Sequence, residues 1–91
     1  MPAANPTYIK NALERGRSLI DHERWLDAAP LYDELVQLEP ANITIRYDYG
    51  TVQLGLGACE KAFDVFDALI REGTDRPAIR FMRARSSLDL G

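Results

Sequence analysis

Apolar residues recur along much of the chain at intervals of three and four, the spacing of one side of an α-helix. In the segment 25–38 the apolar stripe falls at positions 28, 31, 32, 35 and 38. In the segment 59–71 the residues predicted to point inward are Phe63, Phe66, Leu69 and Ile70. Each segment therefore predicts an amphipathic helix that buries one side and exposes the other.

Residues that begin or end helices divide the chain into five helical segments. Asn5 and Asn42 are good N-caps, and proline or glycine residues stand between the apolar stripes. The predicted helices run from Pro6 to about His22, from Trp25 to Leu38, from Asn42 to about Leu56, from Cys59 to Arg71 and from Pro77 to Gly91. Pro30 falls inside the second helix and removes a backbone donor there, so we expect it on the outer side.

The chain also repeats itself at an interval of 34 residues without a gap. Small residues recur at Gly16, Gly50 and Ala84, a second small residue recurs at positions 28 and 62, and an aromatic residue recurs at Tyr32 and Phe66. Small residues on facing sides of two antiparallel helices allow a close approach, with the aromatic ring filling the space beside them. Because a lone helical hairpin leaves its far side uncovered, the repeat predicts stacked helix pairs.

These residues resemble the tetratricopeptide repeat family. The first unit reads Gly16, Ala28, Tyr32 and Pro40, and the second reads Gly50, Ala62 and Phe66. The resemblance implies an all-α fold, an α-solenoid of antiparallel helix pairs with about five helices. It places repeat one at about 9–42, repeat two at about 43–76 and a capping helix at about 77–90, within a single domain 7–91 that follows a flexible arm 1–6.

The capping helix is expected to close the stack with a polar side. Arg80, Arg83 and Ser87 fall on one helical side, which would otherwise pack on a sixth helix. Polar residues there would let water cover the end of the stack, so we interpret this side as a solvated surface. A natural end of the stack is favoured over a truncated one, and both stay open, because Arg46 occupies the matching place in the middle unit, where a partner helix is expected.

The resemblance further implies a concave groove lined by the first helix of each pair. At the family's groove positions stand Lys10, Leu13, Arg17, Ile20, Tyr47, Thr51, Leu54, Phe81, Arg85 and Leu88. Apolar residues at this spacing are also typical of a core, and that reading stays open for each of them. As groove residues, Tyr47 and Phe81 would anchor a peptide or amphipathic helix, and the arginines would hold its carboxylates.

The expected function is therefore a non-catalytic module that binds a partner protein with apolar anchors and some acidic residues. One hypothesis is a small bacterial adaptor or secretion-type chaperone. The alternative is a docking or oligomerisation domain of a larger protein or enzyme, and homodimerisation is left open.

Net charge and hydropathy limit the classes of partner and the cellular location that we expect. The net charge is −3, and the bases concentrate in the last segment, 76–91, so the chain lacks the broad basic surface typical of nucleic-acid binders. No apolar run approaches the roughly 18 residues that span a bilayer, and the N-terminus does not resemble a secretory signal. We expect a cytoplasmic protein without a membrane partner.

Catalytic chemistry finds little support in the sequence. His22 is the single histidine and lies at a predicted helix end, and Cys59 is the single cysteine. A metal site needs three or four converging ligands, whereas neighbouring residues on a helix point apart. We therefore predict neither a cofactor nor a metal, and no enzymatic activity.

Overall fold

The structure, a computed structural model, describes residues 5–89 and contains five α-helices over that range. They are α1 (Pro6–Asp21), α2 (Trp25–Leu38), α3 (Ile43–Gly55), α4 (Cys59–Arg71) and α5 (Pro77–Asp89). No strand occurs in this part of the chain, so the all-α prediction is confirmed. The predicted helix end at Gly91 lies outside the described residues.

Two asparagines begin helices as their sequence positions predict. The Asn5 side chain accepts a hydrogen bond from the Thr7 amide at 2.7 Å, and the Asn42 side chain accepts one from the Ile45 amide at 3.1 Å. Each bond satisfies an amide that the first helical turn leaves without a partner. Because Asn5 caps α1 and Pro6 begins it, the predicted arm 1–6 overlaps the start of this helix, and its residues 1–4 lie outside the described range.

The turns within the two helix pairs share one geometry. Glu23 has φ 55° and Gly57 has φ 82°, and these residues are 34 positions apart. In both turns the following amide donates to a carbonyl five residues earlier: Arg24 to Leu19 at 2.8 Å, and Ala58 to Gln53 at 2.9 Å. The left-handed residue reverses the chain within three residues, so consecutive helices run antiparallel.

Helices pack mainly on their neighbours in the chain, from α1 on α2 through to α4 on α5. The first core cluster joins α1, α2 and α3 through Ile9, Ala12, Ala28, Tyr32, Leu35, Ile45 and Val52. The second joins α4 and α5 through Ala62, Phe66, Leu69 and Ile79. This serial packing is that of an α-solenoid, which confirms the predicted architecture.

The repeated glycines lie directly under the repeated aromatic rings. A Cβ atom at Gly16 would stand 2.5–2.7 Å from Tyr32, and one at Gly50 would stand 2.7–3.1 Å from Phe66. Because both rings are fully buried, neither glycine can take a side chain without displacing a core residue. The predicted close approach is confirmed in both pairs, and Pro30 is exposed as expected.

Candidate functional site

The first helices of the pairs lie on the inner side of the stack. α3 contacts both α1 and α5, whereas no Cα atoms of α2 and α4 approach within 8 Å of each other. The first helices are therefore closer together than the second helices, and the stack curves toward α1, α3 and α5. We call the surface formed by these three helices the inner face.

The predicted groove residues divide into exposed and half-buried groups. Lys10, Arg17, Phe81, Arg85 and Leu88 are exposed, with Phe81 at 63% and Leu88 at 80%. The half-buried group packs against the core clusters and consists of Leu13, Ile20, Tyr47 and Leu54, and Thr51 is also half-buried. The half-buried residues thus contribute to the core whatever else they contact.

The structure brings several of these residues together around a pocket of about 440 Å³ between α3 and α5. Its lining is Glu23, Trp25, Thr51, Leu54, Gly55, Met82 and Arg85. The Trp25 ring reaches from the start of α2 to the end of α3, where a Cβ atom on Gly55 would approach it to 2.3 Å. We call this the Thr51 pocket. Leu54 and Met82 give it an apolar wall, while Glu23 and Arg85 bring charge.

A smaller pocket of about 170 Å³ lies at the other end of α3 and α5. Its lining is Ile43, Thr44, Tyr47, Arg76, Ala78 and Ile79. Lys10, Leu13 and Arg17 line neither of these two pockets.

Arg17 has a partner within the chain. Its Nη1 donates to Asp48 Oδ1 at 3.1 Å, and Tyr32 Oη donates to the other carboxylate oxygen at 2.9 Å. Asp48 is only 1% exposed. Burial raises the pKa of Asp48, and the hydrogen bond from Tyr32 and the charge of Arg17 counteract that rise. The Arg17 charge is therefore largely balanced within the fold.

Asp48 is a buried polar residue of α3 whose role sequence reasoning did not predict. It stands in the stripe Ile45, Asp48 and Val52, whose other two members are buried apolar residues. An acid within an inward stripe is costly unless it has partners, so its position was the available signal. The identity of those partners follows only from the packing of α1 and α2 on α3.

Tyr47 is held by the core beneath it. Its ring meets Phe66 edge-on, with centroids 5.6 Å apart and planes at 65°. Burial is the main cause of a raised pKa at Tyr47. Tyr47 can present one edge of its ring to a partner while the other edge packs against α4. Removal of the ring would therefore affect both partner binding and the packing of α4.

The structure corrects the predicted polar end of the stack. Arg83 does not lie there, because its Nη1 donates to Asp67 of α4 at 3.0 Å. Arg80 binds Asp75, two residues before the start of α5, whereas Ser87 is exposed. Arg83 follows Met82, which packs against the second core cluster. The rotation of the helix by one residue directs the Arg83 side chain toward α4.

Two cations line the inner-face pockets, Arg76 and Arg85. Neither forms an ion pair with any side chain that the structure describes. The basic end of the inner face is therefore at α5, where two guanidinium groups stand next to apolar lining.

Within residues 5–89 no group of three or more His, Cys, Asp and Glu side chains could hold a metal ion. Cys59 is half-buried at the start of α4. None of the described helices combines the length and apolar character required to cross a membrane.

Comparison with known families identifies one match. The tetratricopeptide repeat model matches residues 19–86, which covers most of the chain and both helix turns. No curated protein and no solved structure matches. The match agrees with the paired helices, the common turn and the ring-over-glycine contacts described above. The chain belongs to the tetratricopeptide repeat family.

Proposed function

We propose that the chain binds an amphipathic helix or extended segment of a partner protein along its inner face. Tetratricopeptide repeats are generally protein-interaction modules without catalytic activity. The single observation that carries the proposal is the Thr51 pocket, which joins predicted groove residues from two helices in one open depression. Its mainly polar lining, with one apolar wall and two charged groups, suits a peptide segment that carries both polar and apolar side chains.

Apolar anchoring centres on α3 and α5. Phe81 and Leu88 expose large apolar side chains beside the pockets, and Leu54 and Met82 offer half-buried walls. Covering such side chains stabilises a complex, because it removes their apolar surface from water. Within the proposed groove, Leu13 and Tyr47 supply support from the core rather than freestanding contacts.

The charged residues of the inner face indicate where the acidic residues of the partner would bind. Asp48 already balances Arg17, whereas Arg76 and Arg85 line the pockets without a described ion-pair partner. Partner carboxylates are therefore best received near α5, where charge-assisted hydrogen bonds can form. Lys10 on α1 would contribute long-range attraction to an acidic partner rather than specific contacts, whereas the charge of Arg17 is already paired.

Such a surface fits an adaptor, or a chaperone-like subunit that covers the amphipathic helix of a partner. Both uses need an exposed apolar strip with charges at its border, which Phe81, Leu88 and Arg85 provide. The partner is thus defined by its chemistry: apolar anchors at helical spacing and one or more neighbouring acids.

The test is a selection of random helical peptides by display on the full chain, followed by fluorescence anisotropy with the enriched peptides. We expect enriched peptides to carry acids beside apolar anchors. Arg85→Glu and Thr51→Lys should each weaken binding by about tenfold or more, because one reverses a contact charge and the other fills the pocket. Lys61→Glu is the matched control, since Lys61 is an exposed cation on α4, away from the inner face.

A reversal of both charges tests whether the peptide acid contacts Arg85 directly. Exchange of the peptide acid for lysine should restore binding to the Arg85→Glu variant. Enriched peptides without acids, or equal losses with Lys61→Glu, would overturn the proposal.

A further inference from the structure

The two ends of the helix stack differ in character. At the start, α1 turns outward the residues that correspond, 34 positions earlier, to the side of α3 that packs on α2: Asn11, Glu14, Arg15 and Ser18. All four are polar and exposed. At the other end, α5 exposes four residues that we call the α5 end face: Arg80, Phe81, Ala84 and Ser87. The start is suited to water, whereas the α5 end face presents a large apolar ring.

The molecule itself shows what covers such a face. Thirty-four positions earlier, the same side of α3 carries Arg46, Tyr47, Gly50 and Gln53. There α4 covers it: Phe66 lies over Gly50 and meets Tyr47 edge-on. Arg46 donates two hydrogen bonds, at 2.8 and 2.9 Å, to Glu72 directly after α4.

The α5 end face keeps the chemical features of that site. Ala84 is the small residue in the place of Gly50, Phe81 is aromatic like Tyr47, and Arg80 is a guanidinium like Arg46. Arg80 uses Nε and Nη2 to bind Asp75, and its side chain is 64% exposed. A carboxylate can therefore still approach it from outside.

We propose that the α5 end face binds a helix of a partner protein that has the side-chain pattern of α4. This helix carries an alanine, an aromatic residue four positions later, a leucine three positions after that, and an acid just beyond its C-terminal end. Its aromatic ring lies over Ala84 against the edge of Phe81, and its acid pairs with Arg80. The site shares Phe81 with the proposed inner-face groove but is otherwise distinct from it, because Arg80, Ala84 and Ser87 are not groove positions.

The composition of the face favours such a partner over a second copy of the chain. The α5 end face holds one arginine, Arg80, and no acid, whereas the other arginines of this segment line the inner-face pockets or bind α4. Two end faces packed together would therefore lack the carboxylate that Glu72 supplies to Arg46. An amphipathic helix followed by an acid supplies both that carboxylate and a ring.

The probe is a synthetic peptide with the sequence of residues 58–72 and the change Cys59→Ser, titrated into the isotope-labelled full chain. We expect the amide resonances of Arg80, Ala84 and Ser87 to shift in the NMR spectrum, with little change at Thr51 and Leu54. The peptide with Phe66→Ala should lose binding, because it lacks the ring that lies over Ala84.

Two protein variants locate the site. Ala84→Glu should weaken the affinity by about tenfold or more, since the longer side chain would occupy the space of the partner's ring and bury a charge there. Ala78→Glu is the matched control, because Ala78 is also exposed on α5 but lines the smaller inner-face pocket. It should leave the affinity unchanged. Both positions are exposed, and circular dichroism verifies that the variants fold.

Four results would overturn the inference. The peptide could fail to bind, or shift the inner-face amides at Thr51 and Leu54 instead. It could bind the Ala84→Glu variant equally well while shifting amides throughout α3, which would mean that it replaces the chain's own α4. Sedimentation could also reveal a dimer that Ala84→Glu abolishes, in which case a second copy occupies the face. None of these results depends on whether the inner face binds peptides.

Discussion

Asp48 connects three helices through one carboxylate. It belongs to α3, accepts a hydrogen bond from Tyr32 of α2, and pairs with Arg17 of α1. A buried carboxylate is costly to desolvate, and these donors offset part of that cost. Among the described residues no buried side-chain nitrogen or oxygen lacks a hydrogen-bond partner, so the cluster is fully satisfied.

This carboxyl should give an unusual pH dependence of stability. Burial raises its pKa in the folded chain above the ordinary 3.8, so the folded state holds its proton more tightly than the unfolded state. Its contribution is fully present at low pH and is lost as the pH rises through the folded pKa. We expect the free energy of unfolding of the wild type, relative to Asp48→Asn, to fall as the pH is raised from below the ordinary value of 3.8. Urea denaturation of both proteins across that rise in pH measures it, and a relative gain by the wild type would contradict it.

At the scale of the element, α2 is the helix with an internal weakness. Pro30 lies in its middle and cannot donate to the carbonyl one turn earlier, yet the helix continues to Leu38. The proline is exposed, while Ala28, Tyr32 and Leu35 of the same helix are buried. Tertiary packing of the buried side thus compensates for a residue that disfavours an isolated helix.

Replacement of this proline should stabilise the chain. Pro30→Ala restores the missing hydrogen bond and removes no buried contact, so we expect a gain of about 1–3 kcal/mol in the free energy of unfolding. Thermal and urea denaturation measure it. Pro77→Ala is the control: Pro77 is the first residue of α5, where its ring suits the helix, and its loss should bring no gain. Unchanged or lower stability of Pro30→Ala would show that the ring has a role that its exposure does not reveal.

At the scale of the whole molecule, stability is distributed over two clusters along the stack. Leu35 belongs to the first cluster and Leu69 to the second, and the two residues are 34 positions apart and fully buried. In a stack where helices contact mainly their neighbours, a local defect is expected to loosen its own end first.

Matched truncations test this. Leu35→Ala and Leu69→Ala should each cost about 2–5 kcal/mol, because each leaves a cavity in a fully packed site. Hydrogen exchange should accelerate mostly in α1 and α2 for Leu35→Ala, and mostly in α4 and α5 for Leu69→Ala. Equal acceleration along the chain in both variants would show that the five described helices unfold as a single unit.

The sequence by itself determined the helices, their caps and the repeated contact between glycine and aromatic ring. These features depend on residues close in the chain: Asn42 caps the helix that it precedes, and an apolar stripe defines its own buried side. Because repeated units stack by the same contacts, the 34-residue interval predicts that Tyr32 and Phe66 pack in the same way in the two helix pairs.

Only the tertiary structure decided which side chains meet across helices. Sequence placed Arg17, Tyr47 and Arg83 on surfaces, whereas the fold pairs Arg17 with Asp48, rests Tyr47 on Phe66 and directs Arg83 to Asp67. Each contact depends on how far one helix is rotated and shifted against the next. A long side chain reaches several positions at an interface, so a rotation of a few tens of degrees decides whether it faces a partner within the chain or the solvent.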